Sequence, residues 1–312
     1  MCRTITGLAS CLLAACLSIS PARADDERTL ALYSMNVETG DVVRVTAEPA
    51  NGLSTLGASE WSPDGKRFVF DATPGTVWNK TRMFSSDFPL KKGKDRFTDL
   101  GPGNCPTWSP DGKQIAFLLN GGAVPQAQPG IWIMNADGNK RRRLGGSGRP
   151  LWSPDGKQIL LVSFAFNPRL SLIEVESGLE QPIEISGKTF ASVPAWVGNA
   201  ATIVSVIHEE EVASIALVDL ANPDAPQGEK VLWTPKTLPV EPSRPVYSAK
   251  KKRCVFVGSD ARGSALYVQE KDGTARLLEK DHFDPRLTGL SISPDGKTIL
   301  FASDRKYVAE DK

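Results

Sequence analysis

One phrase, Trp-Ser-Pro-Asp-Gly-Lys, occurs at Trp61–Lys66, Trp108–Lys113 and Trp152–Lys157, and it constrains the fold more than any other feature of the 312-residue chain. It returns as Ser293–Lys297, with Ile292 at the tryptophan position. Looser copies lie between, at Val193-Pro194-Ala195-Trp196 and Arg244-Pro245-Val246-Tyr247. The Trp/Tyr/Ile markers at 61, 108, 152, 196, 247 and 292 are separated by 47, 44, 44, 51 and 45 residues. A period of roughly 40 to 50 residues fits one four-stranded propeller blade.

Each unit reads strand by strand. Residues around Pro-x-Trp form a first strand, and Ser-Pro-Asp-Gly is the hairpin turn that follows. Proline presets φ, aspartate bonds to its own backbone and glycine takes the left-handed position. Asp64, Asp111, Asp155 and Asp295 are therefore structural turn residues, since their recurrence in four units argues against catalysis. The second strand is apolar on both faces, as in Gln158–Val162, which predicts burial between neighbouring blades. A third strand alternates (Gly130–Asn135), and Asp137-Gly138 turns it into a polar edge strand, Lys140–Leu144. Thr39-Gly40, Ser177-Gly178 and Asp272-Gly273 mark equivalent turns.

The ends complete the count. Leu30–Asn36 and Asp41–Thr46 supply a third and fourth strand without the first two, and Leu290–Ser303 supplies a first and second without the last two. The expected fold is all-β: a six-bladed β-propeller of four-stranded antiparallel blades, closed by N- and C-terminal hairpins that share one blade. Closure removes the exposed edges of an open array. Residues 25–312 then form a single domain.

Residues 1–24 read as a secretory signal peptide: Arg3, an apolar stretch from Ile5 to Ile19, Pro21, and Ala22-Arg23-Ala24 before a cut at Asp25. A second reading takes Leu13-Ala14-Ala15-Cys16 as a lipobox, with the protein lipid-anchored through Cys16. The expected location is periplasmic or secreted. No apolar run approaches the roughly 20 residues of a membrane span. The 37 basic residues, less Arg3 and Arg23, leave 35 against 36 acidic ones, a balance that argues against nucleic-acid binding. Cys105 and Cys254 remain after cleavage, three blades apart, and are expected as free thiols.

These repeats resemble those of the TolB-like propeller family, which run Pro-x-Trp-Ser-Pro-Asp-Gly, an apolar strand, then Ile-Trp/Tyr-x-Met-x-x-Asp-Gly. Pro106–Gly112 and Ile131–Gly138 carry the match most fully. The resemblance implies a periplasmic protein that binds partner proteins at the mouth of its channel. It also marks a departure: the family's namesake has an α/β domain before its propeller, and here only Asp25–Arg28 separate the cleavage site from the first strand.

The residues offer little catalytic machinery. Gly-x-Ser-x-Gly is absent, and His208 and His282 show no triad pattern. His282 between Asp281 and Asp284, and His208 before Glu209–Glu211, read as solvated loop positions, so no metal or cofactor is expected. Trp61, Trp108, Trp152 and Trp196 recur at one repeat position and read as packing residues. Trp78 differs, because it lies in the loop Asp71–Lys80 where no repeat requires it. Arg141-Arg142-Arg143 reads as edge-strand protection.

Alignment on the markers places Ala58, Cys105, Arg149, Val193, Arg244 and Gly289 at one position, near the channel entrance. Arg149 and Arg244 there suit a carboxylate or an acidic peptide segment. The expected function is an exported, non-catalytic, monomeric scaffold of the cell envelope that binds an envelope protein through Arg149, Arg244 and Trp78. The alternative is a propeller enzyme acting on a glycan or small molecule in the channel.

Overall fold

The computed structural model describes residues 30–46, 55–75, 77–90, 97–164, 169–183, 189–190, 192–198, 202–209, 212–220, 229–233, 240–261, 263–270, 274–278 and 288–303. The signal segment, Cys16, the sites around His282 and the Asp272-Gly273 turn lie outside them. So do Glu210 and Glu211, and of His208 only the backbone is described.

Among the described residues, regular structure is antiparallel strand except for one short 3-10 turn, Trp78–Lys80. Among these residues the strands make six sheets, numbered here as blades in chain order from the one containing Trp61. In blade two the order is Arg142–Gly145, Gly130–Asn135, Gln114–Leu119, Asn104–Trp108, from outer edge to axis. The closing blade joins the two ends of the chain, in the order Val42–Arg44, Ala31–Asn36, Thr298–Ser303, Thr288–Ile292. Ala31 pairs with Ser303 and Asn36 with Thr298, so the terminal strands share one ladder. Thr288–Ile292 in turn packs against Thr55–Trp61 of blade one. The architecture is thus a β-propeller of antiparallel blades.

Five blades have four strands, and blade four departs from the pattern. Its innermost segment is split into Thr189–Phe190 and Ala195–Trp196, both paired with Thr202–Glu209, which gives a five-stranded sheet. The split falls where other blades are irregular. The pairing register slips between Leu56 and Ser59, Asn104 and Thr107, Ser243 and Val246, and Thr288 and Ser291. Four innermost strands therefore bulge at one repeat position, and in blade four the ladder gives way there. Bulges bend a strand and re-aim its side chains.

The second strands are buried along nearly their whole length, as their two-sided apolarity predicts: Arg67–Thr73, Gln114–Leu119, Gln158–Val162 and Thr298–Ser303 each leave only the first residue partly open. Phe68, Phe117, Phe256 and Phe301 fill the spaces between sheets. Trp61, Trp108 and Trp152 are buried at the expected packing position. The Arg67 guanidinium lies 4.7 Å from the ring centre of Trp108, which joins blade one to blade two.

The Ser-Pro-Asp-Gly turns are built alike in four blades. In blade two, Ser109 Oγ donates to Asp111 Oδ1 at 2.6 Å, and Lys113 N donates to the same oxygen at 3.0 Å. Ser109 Oγ accepts from Gln114 N at 2.9 Å, while Gly112 sits at φ +69°. Asp64, Asp155 and Asp295 make the same bonds. These bonds hold the carboxyls of Asp64 and Asp111 below the usual range.

The arginine run of blade two does more than shield an edge. Arg141 lies over the Phe117 ring at 4.9 Å and donates to Pro102 O at 2.9 Å and to Leu100 O, both on blade one. Arg142 donates to Val175 O of blade three at 2.9 Å. Arg143 Nε donates to Pro129 O at 3.0 Å. The run staples blade two to both neighbours.

Candidate functional site

The innermost strands surround an axial cavity of about 250 Å³. The repeat position at which four innermost strands bulge lies near one end of those strands, and the residues that stand there differ from blade to blade. Blade three brings Arg149 and blade five brings Arg244, and both line the cavity. Arg244 takes φ +49°, a left-handed conformation unusual for a side-chain-bearing residue, and its N–H donates to Ser192 Oγ of blade four at 3.1 Å. Among the described residues, neither guanidinium has a carboxylate within ion-pair distance.

The two cations feel one another. Surrounding protein and the nearby Arg149 charge push the Arg244 guanidinium down to about 10, although its side chain keeps accessible surface in the channel.

Two carboxylates belong to the same region, and the repeat alignment did not single them out. Glu60 precedes Trp61 and lines the cavity. Its Oε1 accepts from Thr107 Oγ1 at 3.0 Å and Trp108 N at 3.1 Å, both on blade two. Thr107 Oγ1 also accepts from Trp152 N at 3.2 Å, so one chain of bonds links three blades. Burial pushes the Glu60 carboxyl up to about 7, against the pull of those two bonds and of the Arg149 charge.

Asp71 lies deeper, buried on the second strand of blade one. Its Oδ1 accepts from Ala58 N at 3.0 Å and its Oδ2 from Cys105 N at 2.6 Å. The carboxylate thus ties the bulge of blade one to that of blade two. A Cβ at Gly57 would come within 2.1 Å of Asp71 Oδ1, so only glycine leaves room. Burial raises the Asp71 carboxyl, and burial beside Asp71 pushes the Cys105 thiol up to about 12. Cys105 and Cys254 are both free.

A signal for both acids was present. Aligned on the markers, Glu60 corresponds to Thr107, Leu151, Ala195, Val246 and Ser291, and Asp71 to Leu118, Val162, Val206, Val257 and Ala302. Each is the one charge at its repeat position.

Trp78 does not join the cavity. It opens the 3-10 turn between the second and third strands of blade one and is 59% exposed. Thr55 pairs with Thr73 and Arg149 with Val162, so loops after second strands emerge at the same end of the ring as Arg149. Phe164, 67% exposed, follows the second strand of blade three and lies at that end too. The Trp78 carbonyl accepts from Asn120 Nδ2 at 3.0 Å, which ties the blade-one loop to blade two. Among the described residues no cluster of His, Cys, Asp and Glu could hold a metal ion, and no helix is long and apolar enough to cross a membrane.

No protein-family model and no curated protein matches the sequence. Solved structures do. A TolB structure from Agrobacterium tumefaciens aligns with TM-score 0.66 at 17% identity over 88% of this chain and 98% of the other. TolB from Acinetobacter baumannii aligns with TM-score 0.53 at 16% identity over 88% of this chain, but over 63% of its own length, under two thirds. Oligogalacturonate lyase from Vibrio parahaemolyticus aligns with TM-score 0.52 at 14% identity over 87% and 82%. TolB structures and an enzyme share this architecture, and at such identities the likeness is one of fold. The chain carries the TolB-like β-propeller fold.

Proposed function

We propose that the protein is an exported, non-catalytic scaffold of the cell envelope that receives a carboxylate-bearing segment of a partner protein at the mouth of its channel. One observation carries the reading: two blades deliver Arg149 and Arg244 to a single cavity, with no carboxylate bonded to either among the described residues. A guanidinium held against its own kind in a partly dry channel gains from an incoming anion. Trp78 and Phe164, exposed at the same end, extend the contact surface outward.

The test is the binding of a labelled, end-capped acidic decapeptide, read by fluorescence anisotropy. Arg149→Glu with Arg244→Glu should weaken it at least tenfold and leave thermal unfolding almost unchanged. Equal binding by the double variant would overturn the reading.

A second reading rests on Glu60. A carboxyl that burial raises to about 7, in a cavity that two arginines also line, is suited to acid–base work on an anionic substrate. A structural neighbour is an oligogalacturonate lyase, whose named substrate is a polyanion. Release of unsaturated product from oligogalacturonate, abolished by Glu60→Gln, would favour this reading over the scaffold.

A further inference from the structure

We propose that the axial cavity is a proton-linked anion site, in which Glu60 is the internal counter-charge of the Arg149–Arg244 pair and takes up a proton as a carboxylate ligand enters. The inference rests on the scaffold reading and adds to it a means of regulation.

Geometry is the starting point. Glu60, Arg149 and Arg244 line one cavity but come from blades one, three and five, and no ion pair within 4.0 Å joins them among the described residues. The carboxylate is anchored elsewhere, by Thr107 and by the backbone of Trp108. It therefore acts on the arginines through the cavity rather than by direct pairing. An anion that binds the arginines must share the same small volume with Glu60. Two like charges in a poorly solvated space repel strongly, and protonation of one relieves the conflict.

The other titratable groups nearby leave that role to Glu60. Asp71 lies behind the wall, with its oxygens engaged by backbone N–H groups. The Cys105 thiol is held neutral by burial. Tyr247, from blade five, lines the cavity, and its phenol is shifted upward, away from neutrality. Among the described residues, blade four and the closing blade contribute no titratable or charged side chain to the cavity wall. Burial raises the Glu60 carboxyl to about 7, so its charge changes where such a device would operate.

The sign follows. As pH falls through about 7, Glu60 takes up a proton and the arginines become freer to take an anion. Above it, the ionised carboxylate competes with the ligand.

The test uses the full protein and an end-capped penta-aspartate peptide, whose own carboxyls stay ionised between pH 6 and 8. Wild-type affinity should fall about tenfold from pH 6 to pH 8. Calorimetry at pH 7 in buffers of different ionisation enthalpy should register proton uptake on binding. Glu60→Gln should bind with little pH dependence and without proton uptake, and at pH 8 it should bind more tightly than wild type. If wild type binds equally at both pH values without proton uptake, the proton link fails and the scaffold reading stands. If Glu60→Gln keeps the wild-type pH dependence, another group is responsible and the proposal fails. No binding at either pH overturns the anion site itself. Should Glu60→Gln not fold, the wild-type proton count alone decides.

Discussion

The innermost strands have two ends, and the ends differ in almost everything. At the turn end, four blades repeat one arrangement atom for atom: a serine hydroxyl, an aspartate oxygen, a left-handed glycine. At the mouth end the corresponding residues are Ala58, Cys105, Arg149, Val193, Arg244 and Gly289, and only the arginine occurs twice. The backbone there is irregular as well, bulged in four blades and interrupted in a fifth. A turn has one good solution and the chain reuses it. A mouth that recognises something asymmetric cannot be built from six copies of one residue. Regularity therefore marks the frame, and broken regularity marks the region proposed as the site.

The harshest way to break this contrast is to attack the frame where it is single. The strand Thr298–Ser303 lies between Ala31–Asn36 and Thr288–Ile292, and its Leu300 and Phe301 are fully buried. Ending the chain at Lys297 removes the ladder that, among the described residues, joins the two ends of the chain, and exposes a sheet edge on each side. The expected result is loss of a cooperative thermal transition, followed by calorimetry or near-ultraviolet circular dichroism. A truncated protein that melts in one sharp step near the wild-type temperature would show that closure contributes little, and that the frame holds without it.

How much was legible in the sequence follows from the same contrast. Strand order, turn positions and terminal closure all follow from the recurrence of Trp-Ser-Pro-Asp-Gly, because a repeat is read by comparison with itself. Arg149 and Arg244 could be placed together for the same reason, since alignment on the tryptophan shows which residues share a level. Glu60 and Asp71 are not picked out by recurrence, because each departs from what its repeat position otherwise carries. Both are single charges at positions otherwise polar-neutral or apolar, and a charge on a second strand such as Phe68–Ala72 requires buried partners. The division of blade four into five strands was not legible. Val193-Pro194 reads like Arg149-Pro150, yet the former interrupts a strand and the latter lies within a regular ladder. The contacts of the run Arg141–Arg143 are not legible for a further reason. Sequence places it on an edge strand, but only the packed ring brings carbonyls of blades one and three within its reach.

The gentlest test lies at the turn end. Asp111 is exposed and accepts two hydrogen bonds, from Ser109 Oγ and Lys113 N, in a corner that Gly112 and two further backbone bonds also hold. Asp111→Ala removes those two acceptor interactions but leaves Lys113 N at the surface, where water can take over. The loss should be about 1 kcal/mol, within the range for exposed side-chain to backbone bonds, and denaturant unfolding can resolve it. Asp111→Asn retains an acceptor oxygen and should recover most of that loss. The carboxyl is held below its usual range, so the folded state favours the ionised form. Its stabilisation is present above the unfolded-state value and fades as pH falls through the folded one. The Asp111→Ala deficit should therefore shrink in acid. Affinity for acidic peptides should not change, because the turn and the mouth stand at opposite ends of the same strand. A turn variant that weakened peptide binding as strongly as charge reversal at Arg149 and Arg244 would show that the frame and the site are not separable.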